Sequence, residues 1–242
     1  MRGRYEAGVG VSILRRTLLI AANTKTGKPM PSSIDPRTED KFLSGAYGLT
    51  DLASAMAFYS EWAGEYDDRM EVVLGYVAPR LMADLFAKHV QGTSGAILDI
   101  GCGTGLTSHY LTQHGFGTVD GVDLSPEMLE KATTRGIYRT LVKADITLPI
   151  ALETASYDGI ISSGTFTLGH VGSEPIPELV RLLKSGGVLG CSIHKDIWAD
   201  KGFDQKFAAL EDEGVLETVE RQPGEFFTGY GETAFYCIFR KR

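Results

Sequence analysis

The run Asp99-Ile100-Gly101-Cys102-Gly103-Thr104-Gly105 constrains this chain more than any other stretch. It follows a short apolar segment, Ala96–Ile100, and leads into a helical pattern from Thr104 to His114. Glycine at such a junction lets the backbone turn tightly and lets a ligand approach with no Cβ in the way. The free N–H groups of the following helix point into the same space. A nucleotide-like ligand suits that geometry.

The rest of the sequence repeats the alternation. Apolar runs at Thr118–Val122, Tyr138–Lys143, Tyr157–Ser162 and Val188–Ile193 read as strands. Ser125-Pro126-Glu127 opens a helix, with Ser as N-cap and Pro at the first helical position. Ile176–Lys184 and Gly202–Glu213 read as two more helices. Val215–Arg221 and Thr233–Arg240 read as a final hairpin-like pair. Such alternation predicts an α/β fold: a mostly parallel sheet with helices on both faces. Upstream, Leu52, Met56, Tyr59, Ala63 and Tyr66 recur at helical spacing behind Thr50-Asp51, and a second helix covers Pro79–His89. Residues 23–40 are polar, carry three prolines and read as a linker. Residues 1–45 are therefore expected to be a flexible arm, and 46–242 the folded domain. Residues 1–34 hold six Lys/Arg and one acid, Glu6, a faint likeness to an organelle presequence.

Spacing discriminates between ligands. A dinucleotide fingerprint places glycines at positions one, three and six. Here the sixth position is Leu106, and the third glycine arrives one residue early. Asp99 would repel a pyrophosphate but suits a ligand carrying an ammonium group. Asp123, at the end of the second strand, is placed to accept ribose hydroxyl protons. Asp145, after the third strand, is placed to meet an adenine amino group. Leu124, Met128 and Ile146 are candidates to sandwich the purine. The competing reading is that these acids only cap helices or close turns.

On these residues the chain resembles the class I S-adenosylmethionine-dependent methyltransferases. Ile97–Gly105, Gly121–Leu129, Lys143–Ile146, Tyr157–Phe166 and Leu179–His194 match that family's successive motifs. Phe58–Asp67, Gly75–Arg80 and Gly164–Val171 look most like the Williams–Beuren-region methyltransferase-like proteins within it. The resemblance implies a Rossmann-like, seven-stranded sheet whose last strand is antiparallel, under an N-terminal helical cap at about 50–92. It implies S-adenosyl-L-methionine as cofactor, with Gly101, Gly103, Asp123, Leu124, Asp145 and Ile146 touching it. Asp99, Gly105, Met128 and Ser162 join that set, and Tyr59, Trp62 and Tyr66 match an aromatic helix that covers the cofactor.

The acceptor is expected at the carboxyl ends of the fourth and fifth strands. His170 and His194 are the candidate bases there, and either could merely order a loop. Ile197, Trp198 and Phe203 are candidates to wall the pocket, with Tyr230 beside them. Glu61, Glu65, Asp67 and Asp68 read as a solvated helix face. The net charge of −7 argues against phosphate backbones, so the expected acceptor is a small molecule methylated on O, N or S. No metal, nucleic acid or membrane partner is expected. Three cysteines without metal-ligand spacing suggest a reducing, cytoplasmic setting, for a monomer or homodimer. The alternatives are a nicotinamide-dependent oxidoreductase and a non-catalytic cofactor-binding partner subunit.

Overall fold

The computed structural model describes residues 67, 70, 71 and 74–242, apart from 230 and 232. All of them lie within one unit of the chain, Pro36–Arg242. The expected arm at 1–45 and the first cap helix, with Tyr59, Trp62 and Tyr66, fall outside the described residues, as does Tyr230.

The strands are β1 (Ile97–Ile100), β2 (Val119–Asp123), β3 (Tyr138–Lys143), β4 (Tyr157–Phe166), β5 (Leu183–His194), β6 (Leu216–Gly224) and β7 (Ala234–Lys241). They form one sheet in the order β3-β2-β1-β4-β5-β7-β6. The pairings from β3 across to β5 are parallel, and β7 runs antiparallel to both of its neighbours, β5 and β6. The helices are α1 (Ala78–His89), α2 (Leu106–Gln113), α3 (Pro126–Thr134), α4 (Ile176–Leu182) and α5 (Phe203–Asp212). This is the seven-stranded, Rossmann-like arrangement expected above. Several boundaries differ from the sequence reading, among them the end of β4, at Phe166 rather than Ser162, and the start of β5. The helix at 176 ends at Leu182 rather than Lys184, and β5 begins at Leu183, because Leu183 already pairs with Tyr157 of β4.

Period-two alternation sends neighbouring strand residues to opposite faces. Ile97, Val119, Ile161, Val188 and Ile238 pack under α1 and α2. Leu98, Val122, Ile160, Leu189 and Phe239 pack with α4 and α5 on the other side. Both faces are thus covered, as a parallel sheet requires. On the first face α1 lies very close to the strands. A Cβ on Gly159 would come within 2.6 Å of the Phe86 ring, and one on Gly190 within 2.7 Å of it and 2.9 Å of Met82. These two glycines are flat seats for Phe86 and Met82, both fully buried. Such side chains each contribute about 1.5–3 kcal/mol on burial.

The carboxyl ends of β1, β2, β3 and β4 open on one edge of the sheet. Ligands bind at that edge in doubly wound folds.

Candidate functional site

An open cavity lies there. Gly101, Cys102, Gly103 and Thr104 form its floor. Asp123, Leu124 and Met128 follow from β2 and α3, and Asp145 and Ile146 from the loop after β3. Gly164, Thr165, His170 and Val171 close the opposite side, with Tyr76 and Pro79.

The floor is shaped by the glycines. Gly101 has φ of +64°, and a Cβ on it would fall 2.1 Å from Thr165 Oγ1. That hydroxyl is itself fixed, donating to the Ile100 carbonyl at 3.1 Å. Gly103, with φ of +54°, has open space where a Cβ would be. Its N–H donates to Asp123 Oδ2 at 2.8 Å. The other oxygen of Asp123 accepts the Ser125 N–H at 2.9 Å. The Asp123 carboxylate therefore ties the end of β2 to the glycine loop while facing the cavity. Burial pushes its pKa up, and the backbone N–H bonds pull the other way. Each oxygen keeps a second lone pair for a ligand hydroxyl. Ser125 caps α3 as expected, its hydroxyl accepting the Met128 N–H at 3.2 Å.

Asp145 reaches the cavity wall, but its Oδ1 also closes a turn, accepting from the Thr147 N–H at 2.9 Å and hydroxyl at 2.7 Å. Asp99 is not in the wall. It lies fully buried, with Oδ2 accepting from Ser108 at 2.6 Å and Tyr138 at 2.8 Å. Its Oδ1 is buried with no hydrogen-bond partner. Loss of hydration pushes the Asp99 carboxyl up to about 6, against the pull of those two hydroxyls.

The descriptions of related proteins agree with this geometry. A family profile described as "Methyltransferase domain" matches residues 98–191, which span the glycine loop, both following acids and β4. Human methyltransferase-like protein 27 is 37% identical over 150 residues, 61% of this chain and 60% of that protein. Residues 98–191 thus resemble a methyltransferase domain, on a fold shared with S-adenosylmethionine-dependent methyltransferases of solved structure. The chain aligns with 60% of the length of that human relative. A mouse 18S rRNA (guanine-N(7))-methyltransferase is 38% identical over 72 residues, 30% of this chain and 25% of the mouse protein. The structure of a TehB-like SAM-dependent methyltransferase from Corynebacterium glutamicum superposes with a TM-score of 0.56 at 19% identity, covering 77% of this chain and 99% of that one. The mouse relative overturns the exclusion of nucleic acid made from net charge. A charge summed over the whole surface does not describe the local field where an acceptor docks.

The structure gathers Gly101, Gly103, Asp123, Leu124, Met128, Asp145, Ile146 and His170 around one cavity. Other candidates stand elsewhere. Ser162 turns inward, its buried hydroxyl donating to the Ile100 carbonyl at 2.8 Å, and its neighbour Ser163 meets the cavity instead. Gly105 starts α2 and backs onto Arg135 and Tyr138. His194 is buried at the end of β5. Its Nδ1 accepts the Asp196 N–H at 3.2 Å, and its ring stacks on Phe226 at 5.7 Å. That is the loop-ordering role, away from the cavity wall. Trp198 packs against Phe203, Phe207 and Phe235, with the Arg221 guanidinium 5.0 Å from its ring centre, so neither Trp198 nor Phe203 walls the cavity.

His170 does face the cavity, and burial lowers its pKa to about 4. It is a neutral imidazole near pH 7. Several lining residues were not among the sequence candidates, Pro79, Ser163 and Thr165 among them. Tyr76 lines the cavity, and Gly164 is glycine where a Cβ would fall 2.3 Å from the Tyr76 hydroxyl. Asp67 is no solvated face. It accepts a hydrogen bond from the Thr104 hydroxyl and pairs with Arg135. Tyr76, Gly164 and Asp67 lie in segments that carry the family likeness, but nothing local in the sequence announces these long-range contacts.

Among the described residues, no group of three or more His, Cys, Asp or Glu is placed to hold a metal, and no helix is long and apolar enough to cross a membrane.

Proposed function

We propose that this chain transfers a methyl group from S-adenosyl-L-methionine to an oxygen, nitrogen or sulfur atom of an acceptor entering beside Tyr76 and His170. The observation that carries this reading is the Asp123 carboxylate, lashed to the Gly103 N–H and facing the same cavity as Leu124, Met128 and Ile146. That is the donor set a nucleoside needs: acceptors for ribose hydroxyls beside apolar surface for a purine. The spare oxygen of Asp145 receives the adenine amino group. Gly103 leaves room for the close approach of the cofactor to the backbone.

The residues fit the charge of the cofactor as well. The unpartnered Oδ1 of Asp99, buried behind the loop, favours positive charge on the cavity side. When bound, S-adenosylmethionine supplies a methyl group already activated on a sulfonium. The chain then has to orient the acceptor and exclude water. Tyr76, Pro79 and Val171 bound the acceptor end, and His170, uncharged near pH 7 and a weak base with its pKa lowered to about 4, serves to orient the acceptor by a hydrogen bond.

Calorimetry with S-adenosylhomocysteine tests the donor site, and absence of binding would refute the reading. Methyl-labelled S-adenosylmethionine incubated with separated small-molecule, RNA and protein fractions then tests the acceptor. Label entering the small-molecule fraction supports the reading. Label confined to RNA or protein removes the small acceptor and leaves methyl transfer standing.

A further inference from the structure

Thr104 sits between two glycines of positive φ, Gly103 at +54° and Gly105 at +91°. Glycine-flanked backbone has many accessible conformations, so the loop's shape has to be held from outside. Three polar contacts do this. Arg135, which follows the last residue of α3, donates from Nε to the Thr104 carbonyl at 2.6 Å. Its Nη2 donates to Asp67 Oδ2. Asp67 Oδ1 accepts from the Thr104 hydroxyl at 2.5 Å, which closes the ring. The stem of Arg135 also backs Gly105, with Cδ 3.0 Å from where a Cβ would stand. A second tie lies nearby: the Tyr110 hydroxyl donates to Glu71 at 2.5 Å. Asp67 and Glu71 precede Tyr76 in the chain, and the Tyr76 N–H donates to the Met70 carbonyl at 2.8 Å. Neither Asp67 nor Arg135 lines the cavity.

We propose that Asp67 and Arg135 are positioning residues that hold the glycine loop in its cofactor-receiving shape before the cofactor arrives. The inference rests on the donor-site reading above. A loop already ordered spares the cofactor the entropic cost of ordering it, so the clamp appears in binding affinity. The pair is only partly covered, the Asp67 side chain being 35% exposed and the Arg135 side chain 20%. Added salt therefore weakens it.

The test is calorimetry of S-adenosylhomocysteine, which has no net charge near pH 7, at low and high salt. The proteins compared are the wild type, Arg135→Met and Asp67→Asn. Asp67→Asn keeps an oxygen for the Thr104 hydroxyl and loses only the charge. Arg135→Met weakens binding about tenfold, or about 1.4 kcal/mol, and Asp67→Asn weakens it less. Wild-type affinity falls with added salt, and the affinity of either variant stays nearly level. A role confined to stability would lower the melting temperature and leave affinity and its salt slope unchanged, and that result overturns the proposal. If Arg135→Met does not fold, Asp67→Asn alone decides by the same two readouts. Failure of the wild type to bind at all would instead refute the donor-site reading.

Discussion

Asp99→Asn isolates the cost of keeping a carboxylate buried behind the glycine loop. In the folded chain burial raises the Asp99 pKa from 3.8 to about 6. The folded state thus holds a proton between those values that the unfolded state has released. Stability must then fall as pH rises across that window. The rise is about two pH units, and at about 1.4 kcal/mol each the loss is about 3 kcal/mol. Above pH 6 to 7 the contribution is fully lost and constant, and below pH 4 it is fully present. Asparagine has no proton to lose. The measurement is urea unfolding of wild type and variant at half-unit pH steps from 4 to 8. Subtracting one curve from the other cancels the groups that both proteins share. Relative to the variant, the wild type should lose about 2.5 kcal/mol of this contribution between pH 4 and pH 7. A flat difference would refute the argument, because it would mean that the Ser108 and Tyr138 hydroxyls fully replace the hydration that Asp99 gives up.

Asp123→Ala removes the tie to Gly103 and, on the proposed reading, the acceptor of the ribose hydroxyls, so S-adenosylhomocysteine binding should weaken by about 1.5–3 kcal/mol. Unchanged affinity in calorimetry would remove Asp123 from the donor site. Gly101→Ala forces a side chain into left-handed backbone and against Thr165, at a combined cost of about 2–5 kcal/mol. The urea midpoint should drop, and adding Thr165→Ala should recover part of the loss. The ring resonances of His170 should not move between pH 8 and pH 5, since its pKa lies near 4. A transition near 6.5 would show that the imidazole is hydrated.

The parts of the site that the sequence made legible are those fixed by local geometry. Gly101 to Gly105, Asp123 and Asp145 each stand within a few residues of a strand end, where strand period and turn chemistry decide where a side chain goes. The cap at Ser125 and the hairpin of β6 and β7 were readable for the same reason. The failures are matters of phase and distance. Ser162 precedes an irregularity in the pairing of β4 with β5, where Ser162 faces Cys191 and the next paired residue is Phe166 with Ile193. No periodicity argument carries through such a shift. His194 was judged by its position at a strand end, but its Nδ1 is taken by the turn that follows. Asp67 meets Arg135 across 68 residues of sequence, and nothing local marks a carboxylate destined for that contact.

The two flat seats at Gly159 and Gly190 give the molecule a mechanical link remote from its chemistry. Pro79, in the first turn of α1, forms part of the cavity wall, and Tyr76 lies just before it. Met82 and Phe86, one and two turns further along the same helix, are the side chains by which it rests on the sheet. A methyl at either glycine would press on Phe86, and at Gly190 on Met82 as well, pushing against the face of α1 that rests on the sheet. The wall residues Tyr76 and Pro79 are thus tied, through one helix, to two glycines of the core that lie outside the cavity wall.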